Sequence, residues 1–118
     1  MEDGLSLVYV TFPDYDTAYK IGSSLLQGGM IACLNIFRNV TSVYVWDGDV
    51  RTSEECVAIM KTMKSLGEKV MHIIREQHPY EIPALFSVNT ETCSPAFLDW
   101  VSSHTGKTTL SGKGPRTT

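Results

Sequence analysis

Three side chains of types that bind metal ions stand out in the sequence: Cys33, His78 and Glu81. A cysteine thiolate is a soft ligand that suits Cu(I), an imidazole nitrogen binds copper and zinc, and a carboxylate is a hard oxygen donor. His78 and Glu81 lie close together in the chain, whereas Cys33 reaches them only if folding brings it there. These residue types are therefore candidate ligands of a metal site, in which the thiol of Cys33 would favour copper.

Each of these residues also has a simpler interpretation. Free cysteines are usually buried packing residues, and a histidine at the end of a helix often hydrogen-bonds backbone carbonyls. Cys56 and Cys93 form no CxxC pair with Cys33. An odd count of three cysteines favours free thiols over a disulfide framework.

A second group of residues can line a ligand pocket. Tyr44 and Trp46 lie two apart, which places both rings on one face of a strand. Lys61 and Tyr80 can complete a pocket that binds a small anion. The same aromatic residues can instead fill an interface between subunits, where large rings dominate the energetics.

The elements that must position these residues follow from the hydrophobic pattern. In chain order it predicts a strand at 5–11, a helix from the Asp14 N-cap to Gly28, a strand from 31 with an extension to 46, a return strand at 50–62 with a polar break at 52–55, a helix at 65–77, a strand at 84–88, and a short helix that opens at Ser94 and Pro95. This order is that of the α+β ferredoxin-like split βαβ fold (βαββαβ), with a long hairpin and a C-terminal helix.

The register of the hairpin decides which residues share a sheet face. Asp47 and Gly48 suit the positive φ angles of a two-residue turn, and without a bulge this turn places Ile36 opposite Ile59. That register puts one set of residues under the helices (Ala32, Leu34, Ile36, Val57, Ile59) and another on the opposite face (Cys33, Asn35, Phe37, Ala58, Met60). A single bulge would invert it locally. Asn35 and Met60 thus become candidates beside Cys33, with the Met60 thioether near a copper ion.

The predicted sheet calls for a partner. The face opposite the helices is half apolar, and a sheet of that kind is usually covered. Long hairpins also leave unpaired edges that pair with other chains. Association with further copies of itself meets both demands.

Composition limits the other possibilities. The chain has 118 residues, of which 42% are hydrophobic and 19% charged, so it can bury one core. We expect a single domain at 1–101 and a flexible tail, rich in Ser, Thr, Gly and Lys, at 102–118. The domain contains all 13 acidic residues but only 7 of the 10 Lys and Arg, so nucleic acid is not an expected partner.

The sequence contains no pattern typical of membrane or secretory segments and no familiar catalytic motif. No apolar run approaches the ~20 residues of a membrane helix, and the acidic Glu2 and Asp3 do not resemble the start of a secretory signal. We therefore expect a cytoplasmic protein with no membrane partner. No Ser/His/Asp, HExxH or paired-carboxylate arrangement stands out, so we expect no enzymatic activity.

Several segments, taken in order, resemble the CutA family of divalent-cation tolerance proteins. They are VTFPD at 10–14, ACLNI at 32–36, TSVYVWDG at 41–48, IMKT at 59–62, HPYEIP at 78–83 and FLDW at 97–100. The resemblance spans residues 5–101, and the His-Pro-Tyr-Glu and Tyr-x-Trp-x-Gly pieces in combination are specific. The chain departs from the family at Asn39, where Gly is frequent, although Asn also tolerates a positive φ.

The resemblance implies a ferredoxin-like subunit in a tight homotrimer, a role in the response to divalent metal ions, copper binding, and no established catalytic reaction. The resemblance also implies that Cys33 matches a cysteine position of the family. Further thiols of some bacterial members have no counterpart, because this chain has Val10 and Ile73 in their places. Two alternatives stay open: a trimeric signalling module that binds a small anionic ligand, like the PII regulators, and a structural trimer with an indirect metal role.

Overall fold

The structure, a computed structural model, describes residues 3–106. Its elements are β1 (Leu5–Phe12), α1 (Tyr15–Gln27), β2 (Cys33–Trp46), β3 (Asp49–Met63), α2 (Gly67–Gln77), β4 (Leu85–Asn89) and α3 (Pro95–Ser103), with a 3-10 turn at Lys64–Leu66 before α2. The strands form an antiparallel sheet in the order β2-β3-β1-β4. The predicted α+β ferredoxin-like fold, with its long hairpin and C-terminal helix, is confirmed.

Two helices begin at the caps that the sequence predicts. The Asp14 carboxylate accepts a hydrogen bond of 2.8 Å from the Thr17 N–H, which caps α1. The Ser94 hydroxyl accepts from the Phe97 N–H at 3.3 Å, and Pro95 fills the first position of α3. Each cap satisfies a backbone donor that lacks a partner within its helix.

Acid is expected to destabilise the protein in part through these carboxylates. The Thr17 N–H lowers the pKa of Asp14 below its ordinary value of 3.8, and the Ser65 hydroxyl does the same for the pKa of Asp3. A carboxylate with a lowered folded pKa stabilises the fold above the unfolded pKa, and this stabilisation is lost as the pH falls through the folded pKa. The loss therefore lies below about pH 4.

The Asp14→Asn variant tests this expectation, because Asn caps a helix as well as Asp but does not titrate. We expect the urea midpoint to fall less in the variant than in the native chain between about pH 5 and about pH 2.5. An equal fall in both proteins would contradict a role for Asp14.

The core has two parts, one on each face of the sheet. α1 and α2 cover one face, where the main cluster forms around fully buried side chains of β1 and β3 (Val8, Val10, Phe12, Ala58, Met60). α3 covers one end of the other face, where Leu5, Met63 and Val101 are buried together. The rest of that second face has no helix over it in the described part of the chain.

The hairpin turn has the predicted geometry, since Asp47 and Gly48 have φ angles of +56° and +80°. Next to the turn the register is also as predicted, from Trp46 opposite Asp49 to Val40 opposite Glu55. A β-bulge then places two residues, Arg38 and Asn39, opposite one residue of β3.

The bulge overturns the predicted faces of β3. Beyond it Ile36 lies opposite Ala58 instead of Ile59, because β2 has gained one residue relative to β3. Ala58 and Met60 are therefore buried under the helices, and Val57 and Ile59 lie on the opposite face. The prediction that Met60 lies beside Cys33 was wrong, since a shift of one residue exchanges the two faces of a strand.

The predicted boundary between domain and tail at residue 101 falls too early. α3 continues to Ser103, Thr105 is buried, and the Gly106 N–H donates to the Gly29 carbonyl at 2.8 Å. Residues 102–106 thus belong to the fold. The remainder of the predicted tail, 107–118, lies outside the described residues.

Half of the hairpin extends away from the sheet. β1 pairs with β3 only from Cys56 to Met63, so residues 40–55 pair only with each other. We call this segment the hairpin arm. A two-stranded ribbon alone is marginally stable in water, so an arm of this length is expected to need a partner. Over residues 3–106, no helix has the length and apolarity required to cross a membrane.

Candidate functional site

The predicted metal ligands Cys33 and His78 lie at different levels of the sheet. Cys33 faces Lys61, which in turn lies opposite Leu7 of β1. His78 contacts Thr11, four residues further along the same strand. With a rise of about 3.3 Å per strand residue, the two sites are separated by roughly 13 Å along the strand direction, in addition to the spacing between β2 and β1.

Cys33 begins β2 at the edge of the sheet, on the face opposite α1 and α2. Its neighbour across the strands is Lys61, whose ammonium donates a hydrogen bond to the side-chain oxygen of Asn35. Burial raises the pKa of the Cys33 thiol more than the positive charge of Lys61 lowers it. The thiol is therefore held in its neutral form, and a soft metal ion would have to displace its proton.

His78 is buried, and main-chain groups occupy both of its ring nitrogens. Nδ1 accepts the Tyr80 N–H at 3.1 Å, so the ring proton resides on Nε2, which donates to the Thr11 carbonyl at 2.7 Å. The ring also stacks on Phe12, with centroids 4.9 Å apart. This arrangement leaves no nitrogen lone pair for a metal ion, and it matches the simpler interpretation of a helix-end histidine.

Tyr80 and Glu55 form a polar cluster at the base of the hairpin arm. The Tyr80 hydroxyl donates to one oxygen of Glu55 at 2.7 Å, and the Ser42 hydroxyl donates to the other at 2.6 Å. Burial, followed by the hydrogen bond to the Glu55 carboxylate, raises the pKa of Tyr80 well above its ordinary value. The cluster ties the connector after α2 to both strands of the arm.

The remaining predicted pocket residues do not converge within one chain. Tyr44 and Trp46 are exposed on the arm, with Trp46 beside the turn, and Glu81 is exposed on the connector. Lys61 lies six residues along β3 from Glu55, roughly 20 Å from the Tyr80 cluster. Met60 is fully buried in the core and cannot line a pocket.

The sequence interpretation missed two residues of the Tyr80 cluster, Glu55 and Ser42. The sequence pattern predicts a polar break at Glu55, whereas β3 is continuous there. Glu55 is the second of two glutamates and directly precedes the apolar run from Cys56. That position is the signal that could have marked it, because a carboxylate next to a buried run needs hydrogen-bond donors.

The geometry does not fit a metal site made from Cys33, His78 and Glu81 in one subunit. His78 has no free nitrogen, and Cys33 lies apart from it. Among residues 3–106 there is no group of three or more His, Cys, Asp or Glu side chains that could hold a metal ion. Of the three predicted ligands, Cys33 and the exposed Glu81 keep donor atoms that no described residue occupies, and the two lie on different elements.

The second sheet face is an apolar surface of the subunit. We call it the open sheet face and define it by Tyr9, Phe37, Ile59, Phe86 and Val88. Phe37, Phe86 and Val88 retain 51%, 47% and 48% exposure. The Tyr9 and Phe86 rings stack on this face with centroids 4.8 Å apart.

Known proteins of one family are similar to this chain in sequence and fold. Residues 6–104 match the family described as CutA1 divalent ion tolerance protein. The chain is 36% identical, over 101 residues, to the divalent-cation tolerance protein CutA of Pyrococcus horikoshii, and the match covers 86% of this chain and 98% of that protein.

Solved structures agree with this match. Divalent ion tolerance protein CutA1 from Ehrlichia chaffeensis superposes with a TM-score of 0.86 at 37% identity, covering 91% of this chain and 100% of the other. The CutA of Archaeoglobus fulgidus, described as a periplasmic divalent cation tolerance protein, gives a TM-score of 0.81 at 28% identity, covering 85% and 97% of the two chains.

Proposed function

Because the chain belongs to the CutA1 family of divalent ion tolerance proteins, we propose that it contributes to the tolerance of divalent cations as a homotrimer. Family membership supports the tolerance role, and the open sheet face is the observation that supports self-association. In this role the protein catalyses no reaction, and its partners are further copies of itself and metal ions rather than nucleic acid or a membrane.

Two features support self-association. The open sheet face presents large apolar side chains that water would otherwise surround. The hairpin arm adds a second set, in which Val45 and Val50 face each other across the strands with 67% and 73% exposure. Packing these two surfaces against other copies would bury both and would give the arm the support that a lone ribbon lacks.

Light scattering on the purified full chain tests the oligomeric state. We expect a mass three times that of the 13.1 kDa chain, unchanged on moderate dilution. A monomeric mass would contradict the proposal, and a stable dimer would contradict the trimer while retaining self-association.

We propose that copper or another divalent ion binds weakly and that Cys33 supplies the thiol ligand. Three observations support Cys33 over the other candidates: Cys33 is only partly buried, His78 is committed to the backbone, and Cys56 is buried in the core. A thiol suits a soft ion such as Cu(I) better than a hard one.

Metal titrations with Cu(I), Cu(II) and Zn(II) test this assignment. We expect Cys33→Ala to weaken Cu(I) binding by at least about tenfold, since removal of a ligand costs more than removal of its supporting groups. Cys93→Ser is the matched control, because Cys93 is also a half-buried free thiol but lies near α3. Equal Cu(I) binding by the native chain and the Cys33 variant would contradict the proposal.

The cytoplasmic location stays a prediction. A relative with the same fold is described as periplasmic, so family membership does not determine the compartment. Fractionation of cells that express the protein would measure it directly. We expect the protein to appear with cytoplasmic markers.

A further inference from the structure

A polar cavity of about 300 Å³ lies between the start of α2 and strands β1 and β4, on the helix-covered side of the sheet. Its lining consists of Ser6, Lys64, Ser65, Gly67, Glu68, Ser87 and Asn89. This volume is at the lower end of the range for small-molecule pockets. Neither the metal proposal nor the trimer proposal uses any of these residues.

Ser6 is the unusual member of the lining. Its side chain is 1% exposed, and its hydroxyl has no hydrogen-bond partner among residues 3–106. It is also the nearest atom, at 3.6 Å, to the position that a Cβ on Gly67 would occupy, so it points at the first residue of α2. A buried hydroxyl without a partner is costly, which indicates that a group other than the described residues completes it.

The start of α2 favours a negative charge at this position. α2 is 11 residues long, and no side chain caps it. Its dipole therefore presents partial positive charge toward the cavity, although the Gly67 N–H itself is bonded to the Lys64 carbonyl. The preceding turn already holds one carboxylate, since Asp3 accepts hydrogen bonds from the N–H and the hydroxyl of Ser65 at 3.0 and 2.6 Å.

The rest of the lining is rich in donors. Asn89 lies directly opposite Ser6 across the β1 and β4 strands, and Ser87 is two residues away on the same face. Lys64 also lines the cavity, and its ammonium lies near Gly4 and acts on the Asp3 carboxylate. Glu68 is the one acidic side chain of the lining, and it is exposed and able to turn toward water.

We propose that this cavity binds a small oxyanion of the phosphate type, either free phosphate or a small phosphate monoester, with Ser6, Asn89 and Lys64 as its hydrogen-bond donors. Hydroxyl, amide and ammonium donors around a helix start are the groups that recognise such anions. The size of the cavity leaves room for a small substituent on the phosphate.

Titration of the full chain with inorganic phosphate, followed by amide NMR shifts at constant ionic strength, tests the proposal. We expect saturating shifts near residues 6, 67 and 89 with a dissociation constant on the order of 1–10 mM. Glycerol phosphate forms a second arm. Tighter binding of the ester would identify an organic phosphate as the ligand, and tighter binding of phosphate would identify the free anion.

Variants assign the binding to the cavity. Ser6→Ala should weaken phosphate binding by about three- to tenfold, and Lys64→Gln by about five- to tenfold. Glu68→Gln should strengthen it by about two- to fivefold, because it removes a repelling charge. Lys69→Gln is the matched control, since Lys69 is an exposed cation of the same helix outside the lining.

Three outcomes would overturn the proposal. The first is the absence of saturating shifts, or equal effects of the Lys64 and Lys69 variants, which would indicate only general charge attraction. The second is Mg²⁺ binding at these residues, if that binding becomes weaker in the Glu68→Gln variant. This result would make the cavity a cation site. The third is a Ser6→Ala protein that unfolds at lower urea yet binds phosphate normally, which would identify a structural water as the partner of Ser6.

Discussion

The Phe86→Glu variant is expected to be a folded monomer under conditions in which the native chain is a trimer. Phe86 lies on edge strand β4, in the open sheet face, where it stacks on Tyr9. In the proposed trimer a carboxylate at this position would be removed from water without a partner, at a cost of several kcal/mol. The fold of the subunit should survive, because Phe86 lies outside both core clusters.

Light scattering gives the mass of this variant, and circular dichroism shows whether the subunit has kept its fold. Tyr19→Glu is the matched control, because Tyr19 is an aromatic residue of 57% exposure on α1, in the helix layer on the other side of the sheet. We expect this control to remain trimeric. A trimeric Phe86 variant together with a dissociated Tyr19 variant would place the interface on the helices and contradict our assignment.

The His78→Ala variant is expected to lose about 3 kcal/mol of unfolding free energy. The change removes a buried ring that packs between Phe12 and Tyr80, and it deprives the Thr11 carbonyl and the Tyr80 N–H of their side-chain partner. Unpaired buried polar groups cost about 1–3 kcal/mol, and the cavity adds to that cost. Such a loss is a large fraction of the typical stability of a domain.

Urea unfolding at a fixed subunit concentration measures the loss, because the stability of an oligomer depends on concentration. His72→Ala is the control, since His72 is exposed on α2 and its one recorded ion pair, with Glu76, spans 3.9 Å. We expect that variant to remain within about 0.5 kcal/mol of the native chain. If His78→Ala kept its stability but lost copper, the ligand interpretation of His78 would be correct and our structural one would be wrong.

The ferredoxin-like fold was predictable because its signals are local. The caps at Asp14 and Ser94 and the turn at Asp47 and Gly48 act within a few residues, and each occurs where the sequence predicts it. The predicted break at 52–55 is wrong, because β3 is continuous there. Polar side chains on an arm exposed to water do not interrupt the backbone pairing of its strands. Local chemistry thus determines where most elements begin and end.

The candidate site was less predictable, because it depends on which strand faces meet. Residue type indicates Cys33 and Tyr80 as site candidates, but it also indicates Met60 and His78. In the fold, Met60 packs in the core and His78 hydrogen-bonds the backbone. The partner of Tyr80, Glu55, is 25 residues away in the chain, and no short-range pattern joins the two. No sequence pattern marks Ser6, because the burial of its hydroxyl depends on α2, which begins about 60 residues later in the chain.

By itself the sequence determined the order of the elements, the ferredoxin-like topology and the family, since all three follow from patterns along the chain. The tertiary structure decided the chemistry around Cys33. One bulge at Arg38 and Asn39 shifts the register, and because side chains alternate along a strand, that shift turns Met60 into the core and places Cys33 opposite Lys61. Folding likewise directs both nitrogens of His78 toward the main chain, which leaves the thiol of Cys33 as the metal donor of our proposal.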